Sequence, residues 1–269
     1  SSQSSSSSSS STLSYSALQE GMLWYTKPDV GFIQYEKLDT LAHNAVCLGD
    51  PVCSPKQQEW LLTEFLKAFP DPILIHVSKE TGKILEKKGF YINEMGVETI
   101  VDAQTFSTAG SKKEFLRSQK NRAQKDGVVV REMKDVNVSM EQLQHISDEW
   151  LHKKAVHDHE LAFLVRPAVF QDEPDVRKFV AMRGDEIVGF VFFDPMYQKG
   201  KVYGYLANIL RTLGAHSYSV TDFIILEAIT TFKSEGIEDL SLGFSPFTDV
   251  DDQGAVSYTH LTLPTNREV

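Results

Sequence analysis

RKFVAMRGDEIVGFVFFDPMYQKGKVYGYLANILRTLGAHSYSVTDFIILEAITTFKSEGIEDLSLGFSP, residues 177–246, is the stretch whose reading decides the fold. Arg177 to Met182 is a β-branched and apolar run. Arg183-Gly184-Asp185-Glu186 supplies a turn in which glycine is free to take positive φ. Ile187 to Asp194 is apolar but too short to span a bilayer, so it reads as a buried strand. Val202 to Leu210 reads as a third strand, followed by a polar, glycine-containing loop. A helix is then predicted from about Val220 to Ser234, with Phe223, Ile224, Leu226, Ala228, Ile229 and Phe232 on one broad face. Ser219 or Thr221 can cap its first turn, and Asp222 and Glu227 suit the positive end of the helix dipole. Gly236 ends the helix and Ile237 to Gly243 returns as a strand. The order is an antiparallel meander followed by a strand–helix–strand crossover.

Upstream, the clearest feature is a basic helix over residues 112–125, KKEFLRSQKNRAQK, with six Lys or Arg and one Glu. Lys113, Arg117 and Lys120 fall at i, i+4 and i+7 and share a stripe, flanked by Asn121 and Gln124. Phe115, Leu116 and Ala123 supply the side expected to be buried. Val128 to Glu132 then reads as a strand, and Met140 to Ala155 as an amphipathic helix with Leu143, Ile146 and Trp150 inward. Further back, Phe32 to Tyr35, Ala45 to Leu48, Ile73 to Val77, Phe90 to Gly96 and Glu98 to Asp102 read as strands. Helices are expected from Ser54-Pro55 to Phe69 and from Thr81 to Lys88. Ser1 to Ser16 is nearly all serine and cannot offset its ordering entropy, so residues 1–22 are expected to be disordered.

Composition sets the bounds. At 269 residues the chain holds one large domain or two small ones. A net charge of −10 argues against coating nucleic acid over the whole surface but leaves room for a local basic site. Two cysteines, Cys47 and Cys53, make no disulfide framework and read as reduced bystanders. No apolar run is long enough for a transmembrane helix, so a lipid substrate would be met from the water side.

The crossover order resembles the centre of the GNAT acyltransferase fold, whose loop before the helix offers backbone N–H groups to a phosphate-bearing donor. The finer pattern resembles the catalytic domain of the aminoacyl-phosphatidylglycerol synthases, or phosphatidylglycerol lysyltransferases. It runs through Leu48-Gly49-Asp50-Pro51, Gly89-Phe90, Gly96 and Glu98, Phe106, Gly110, Leu116, Arg117, Asn121, Arg122 and Gly127. It continues through Ser147, Trp150, Glu160, Phe163 and Arg211 to Ser241, Leu242, Gly243, Ser245 and Pro246. The resemblance covers roughly residues 24–250 and implies two tandem GNAT-like α/β (α+β) lobes with mixed sheets, drawn here at 23–135 and 136–250. Family members continue past the Ser-Pro motif with further helix. Here the tail reads VSYTHLTLPTNREV, so the second lobe is expected to be incomplete and residues 251–269 non-native or disordered.

What the resemblance implies is transfer of an amino acid from aminoacyl-tRNA to a phosphatidylglycerol hydroxyl, by a cytoplasmic protein at an anionic phospholipid surface and without a resident cofactor or metal. The chemistry needs phosphate-binding cations, backbone donors at a helix start and one proton acceptor. Arg117, Lys120, Asn121 and Arg122 on the basic helix and Arg211, Ser219 and Ser245 are the binding candidates; Glu160 and Asp222 are the candidate proton acceptors. Each has a plainer alternative: a solvated helix face for the cations, a helix N-terminal residue for Asp222, a turn residue for Ser245. His157-Asp158-His159 beside Glu160 holds too few ligands, too close in sequence, for a strong metal site. Arg211-Thr212-Leu213-Gly214-Ala215-His216 resembles the acetyl-CoA loop except at His216, where a small residue is usual. Two other readings stay open: a GNAT N-acyltransferase using acyl-CoA, and a non-catalytic module docking acidic membranes through residues 112–125. The leading reading expects Arg117 and Arg211 to share one anion-binding cavity.

Overall fold

A computed structural model describes residues 15, 22–37, 45–93, 96–154, 166–198, 200–213 and 217–246. The serine-rich opening other than Tyr15 and Met22, the residues around Glu160, and the tail from 247 lie outside the described residues, and with them the expectations placed there. The described residues form two compact units. One takes in those of 1–96 with 196–202, the other those of 97–195 with 203–246.

In the first unit, β1 (Leu23–Lys27) and β2 (Gly31–Lys37) form a hairpin, and β3 (Ala45–Leu48) lies antiparallel to β2. The short β4 (Val52–Cys53) pairs with the start of β2. Helix α1 (Gln58–Ala68) follows, its entry prepared by Pro55, where a missing N–H costs nothing. Strand β5 (Ile73–Ile75) is parallel to β3, and α2 (Lys79–Lys87) is capped by Ser78 Oγ, which accepts from the Thr81 N–H. Leu61, Leu62 and Phe65 of α1 pack with Ile33, Ala45, Cys47 and Leu85 into the core. Both cysteines are free thiols, and burial pushes Cys47 up to about 12. The strand expected over Phe90 to Gly96 is corrected: residues 90–93 are irregular and the next strand opens at Gly96. The Phe90 N–H returns to the Leu85 carbonyl, closing α2 with Gly89 at φ 89°, so Phe90 turns back onto the core instead of extending.

The second unit is built on a six-stranded mixed sheet. Its elements are β6 (Gly96–Asp102), α3 (Glu114–Lys125), β7 (Val128–Glu132), α4 (Met140–Lys154), β8 (Arg177–Arg183), β9 (Glu186–Gln198), β10 (Lys201–Thr212), α5 (Ser217–Ser234) and β11 (Asp239–Pro246). The strand order is β6-β11-β10-β9-β8-β7. The β8–β9 hairpin turns at Gly184, with φ 59°, and β10–α5–β11 is the expected parallel crossover. The fold is thus mixed α/β and GNAT-like, as the element order implied.

Residues 97–135, placed with the first lobe by sequence, pack in this second unit. The reason is long-range pairing: Val128 to Glu132 runs antiparallel to Phe179 to Arg183, a partnership local periodicity does not reveal.

The sheet's two faces follow from strand alternation. Phe179 and Phe193 meet Phe232 of α5 edge-on. Val180, Phe190 and Phe192 belong to the cluster that contains Leu143 and Ile146 of α4. Helices α4 and α5 therefore cover opposite faces. Helix α3 packs on α5 and β7. On β10, Tyr205 stacks on Phe232 of α5, whereas Arg211, six residues on, reaches Ser147 and Trp150 of α4. Residues an even number apart on a regular strand share a face, so the alternation of β10 slips once between them, as at a bulge.

Gly189 of β9 makes room where α5 begins. A Cβ there would lie 2.7 Å from Thr212 Cγ2, 3.0 Å from Val220 Cγ1 and 3.1 Å from the Arg211 carbonyl. Gly189→Ala is expected to destabilise the chain by about 1–3 kcal/mol, read as a lower urea midpoint at unchanged slope.

Candidate active site

The end of β10 carries the most unusual charge in the second unit. Four cations of this unit are largely buried: Arg166, Arg177, Lys178 and, at that strand end, Arg211. Three have carboxylate partners. Arg166 meets Glu173 at 2.6 Å and Asp194 at 2.9 Å, Lys178 meets Glu173 at 2.9 Å, and Arg177 is held by Glu132 and, at 2.6 Å, by Glu235. Arg211, 4% exposed, has none within salt-bridge reach among the described residues. It donates to Ser147 Oγ, and its guanidinium carbon sits 4.9 Å from the Trp150 ring centre. Burial pushes its pKa down, opposed in part by the charge of Asp148. A buried cation without a counter-ion is costly, and such arrangements gather at functional sites. Arg211 stands at a strand end just before α5, whose first amides point back toward that end.

The same face of the sheet carries polar groups that sequence reasoning missed. Asp194 is 1% exposed in the middle of an apolar strand and accepts from both Arg166 and, at 2.7 Å, Asn208. An aspartate inside FVFFDPM was the available signal. Ser241 donates to Glu98 at 2.6 Å and accepts from the Gly243 N–H, joining two motif residues 143 positions apart. Ser241 is in register with Leu206, whose neighbour Tyr205 faces α5, so Ser241 and Glu98 lie on the α4 side with Arg211.

The basic helix is elsewhere. Arg117 donates to the carbonyls of Thr108 and Gly110, pinning the loop before α3. Lys120 pairs with Glu227 of α5 at 2.6 Å. Asn121 and Arg122 are exposed, and with Glu114, Arg117, Ser118, Lys125 and Asp126 they line an open hollow of about 590 Å³. Since α3 packs on the α5 side, the expectation that Arg117 and Arg211 share a cavity is corrected. The sheet separates them.

Asp222 lies on α5, 4% exposed, and burial pushes its carboxyl up to about 6. No contact joins it to Arg211 among the described residues. Ser219 falls in the first turn of α5 and Ser245 in β11, their side chains outside the described atoms. Glu160 lies outside the described residues, as do His157, Asp158 and His159. No group of three or more metal-ligating side chains occurs among the described residues.

A mixed sheet with this crossover has the GNAT-like fold. A family model described as the C-terminal region of phosphatidylglycerol lysyltransferase matches residues 2–263, and the chain belongs to that family. A phosphatidylglycerol lysyltransferase of Bacillus subtilis is 28% identical over 217 residues, covering 78% of this chain and 24% of the relative. An uncharacterised protein of Corynebacterium glutamicum is 23% identical over 247 residues, covering 87% of this chain and 30% of its own length. The chain thus spans less than a third of the length of either relative. Among solved structures, L-PGS from Bacillus licheniformis superposes with a TM-score of 0.72 at 21% identity, covering 93% of this chain and 76% of that one.

Proposed function

We propose that the chain is the catalytic part of an aminoacyltransferase that moves an amino acid from aminoacyl-tRNA to the hydroxyl of a phosphatidylglycerol-type lipid. The observation that carries the reading is Arg211: a guanidinium already desolvated, stacked on Trp150 and left without a carboxylate among the described residues, is prepared for an anion delivered by substrate. Family membership supports the substrate class, because the family model and the Bacillus subtilis relative carry the name phosphatidylglycerol lysyltransferase.

An aminoacyl ester is activated before it arrives, so the protein has to align, stabilise and move one proton. Arg211 holds a phosphate or the oxyanion that develops as the lipid hydroxyl attacks the ester carbonyl. The carbonyl oxygen gains charge, the hydroxyl proton leaves to Glu160 or Asp222, and collapse expels the tRNA ribose oxygen, which takes a proton back. Ser147 fixes the plane of the guanidinium. Glu98 and Ser241 tie β6 to β11 on the same face of the sheet.

The test is transfer of a labelled amino acid from charged tRNA into the organic phase, using phosphatidylglycerol vesicles and the folded chain. Label in the lipid is the expected result. No transfer from any charged tRNA, with circular dichroism showing a folded protein, rules the reading out; binding of acetyl-CoA that weakens on replacing Arg211 would move the chain to the acyl-CoA class.

A further inference from the structure

We propose that the outward face of α3 is a docking surface for anionic lipid headgroups. It is not part of the Arg211 centre, from which the sheet separates it. Three observations meet on this face. Phe115, Ser118, Arg122 and Lys125 follow one another at i, i+3, i+7 and i+10, so they form one exposed stripe. Arg117 joins Arg122 and Lys125 around the open hollow of about 590 Å³, with Glu114 and Asp126 at its ends. Phe115 is 53% exposed although the helix has an apolar side, formed by Leu116 and Ala123, that is buried.

The combination fits a membrane surface better than a polynucleotide. The interface of a bilayer accepts an aromatic ring at the acyl boundary and basic side chains at the phosphates at once, and stable attachment needs both signals. Residues 112–125 carry six cations against one carboxylate in a chain of net charge −10, so this helix is a local concentration of positive charge on an otherwise acidic chain. Lys120 does not contribute, being spent on Glu227. No helix among the described residues is long and apolar enough to cross a membrane, so the described residues meet lipid by lying against it. The choice of lipid as partner rests on the function proposed above. A binding assay run without tRNA separates failure of the docking surface from failure of transfer.

The experiment is sedimentation of the 269-residue chain with phosphatidylcholine vesicles, with and without phosphatidylglycerol. Binding is expected only when the anionic lipid is present, and it should weaken as salt shortens the Debye length from about 10 Å at 0.1 M to about 3 Å at 1 M. Replacing Arg122→Gln and Lys125→Gln together should lower the partition coefficient about 25-fold, near five-fold per cation. Phe115→Ser should lower it about ten-fold. The thermal midpoint of each variant separates lost binding from a lost fold. Equal binding to neutral vesicles, or variants that bind like the parent, would overturn the proposal. So would variants that keep vesicle binding while losing charged tRNA, an outcome that assigns α3 to RNA.

Discussion

Arg211→Met is expected to cost the transfer reaction between about 10² and 10³ in kcat/KM while leaving the fold as stable as before, or more so. The first half follows from what one preorganised donor to a developing oxyanion or bound phosphate contributes, about 3–4 kcal/mol. The second half follows from burial. A guanidinium 4% exposed, with Ser147 as its hydrogen-bond partner, has lost most of its water and gained no counter-ion among the described residues. Methionine keeps an unbranched chain against Trp150 and removes the charge. Replacing poorly compensated buried charge with an apolar side chain of similar size is often neutral or stabilising. The opposite holds for Arg166. Removing it strands Asp194 and Glu173, and a structural cation of that kind costs about 3–5 kcal/mol when lost. Lost activity with retained or raised stability marks Arg211 as a substrate-facing charge. A fall in the urea midpoint comparable to that of an Arg166 variant would make Arg211 another structural tie.

What was legible in the sequence, and what was not, divides by range. The meander, the crossover and its helix could be read because apolar alternation, Gly184 and Gly236 are local signals. Arg211 was singled out by the likeness of residues 211–216 to the acetyl-CoA loop, whereas its burial beside Trp150 depends on α4, far off in the chain. The boundary after residue 135 was misplaced because nothing within Val128 to Glu132 says that its partner is Phe179 to Arg183. The basic helix was read from 112, with Lys113, Arg117 and Lys120 as a stripe and Phe115 buried; α3 opens at Glu114, after Lys113, and Phe115 is 53% exposed. Helical spacing gives only where a side chain starts: Arg117 bends back to two carbonyls and Lys120 reaches α5. The Arg166–Asp194–Asn208 and Glu98–Ser241 ties join residues far apart in the chain, and only the folded sheet brings them together.

The second large effect concerns Asp222, and its sign can be worked out in advance. Burial raises its carboxyl from the ordinary 3.8 to about 6. Below about pH 3 the group is protonated in both the folded and unfolded chain and has no effect on stability. As pH rises from there to about 6, the unfolded chain releases a proton that the folded chain still holds, so stability falls. Above that window the penalty is complete at roughly 3 kcal/mol, because holding the proton back costs about 1.4 kcal/mol for each pH step across it. Asp222→Asn keeps the shape and cannot ionise, so it should raise unfolding free energy at neutral pH by up to about 3 kcal/mol and by only about 0.5 kcal/mol at pH 4. Urea titrations at the two pH values measure the difference. A loss of stability at neutral pH would instead mean that the ionised carboxylate is held by a favourable partner. The same variant assigns the proton. If Asp222 accepts it from the lipid hydroxyl, Asp222→Asn lowers the transfer rate by about 10²–10⁴ and abolishes a limb of the pH–rate profile near pH 6. If Glu160 accepts it, the variant is more stable and still active, and the buried charge on α5 is a cost the fold carries without catalytic return.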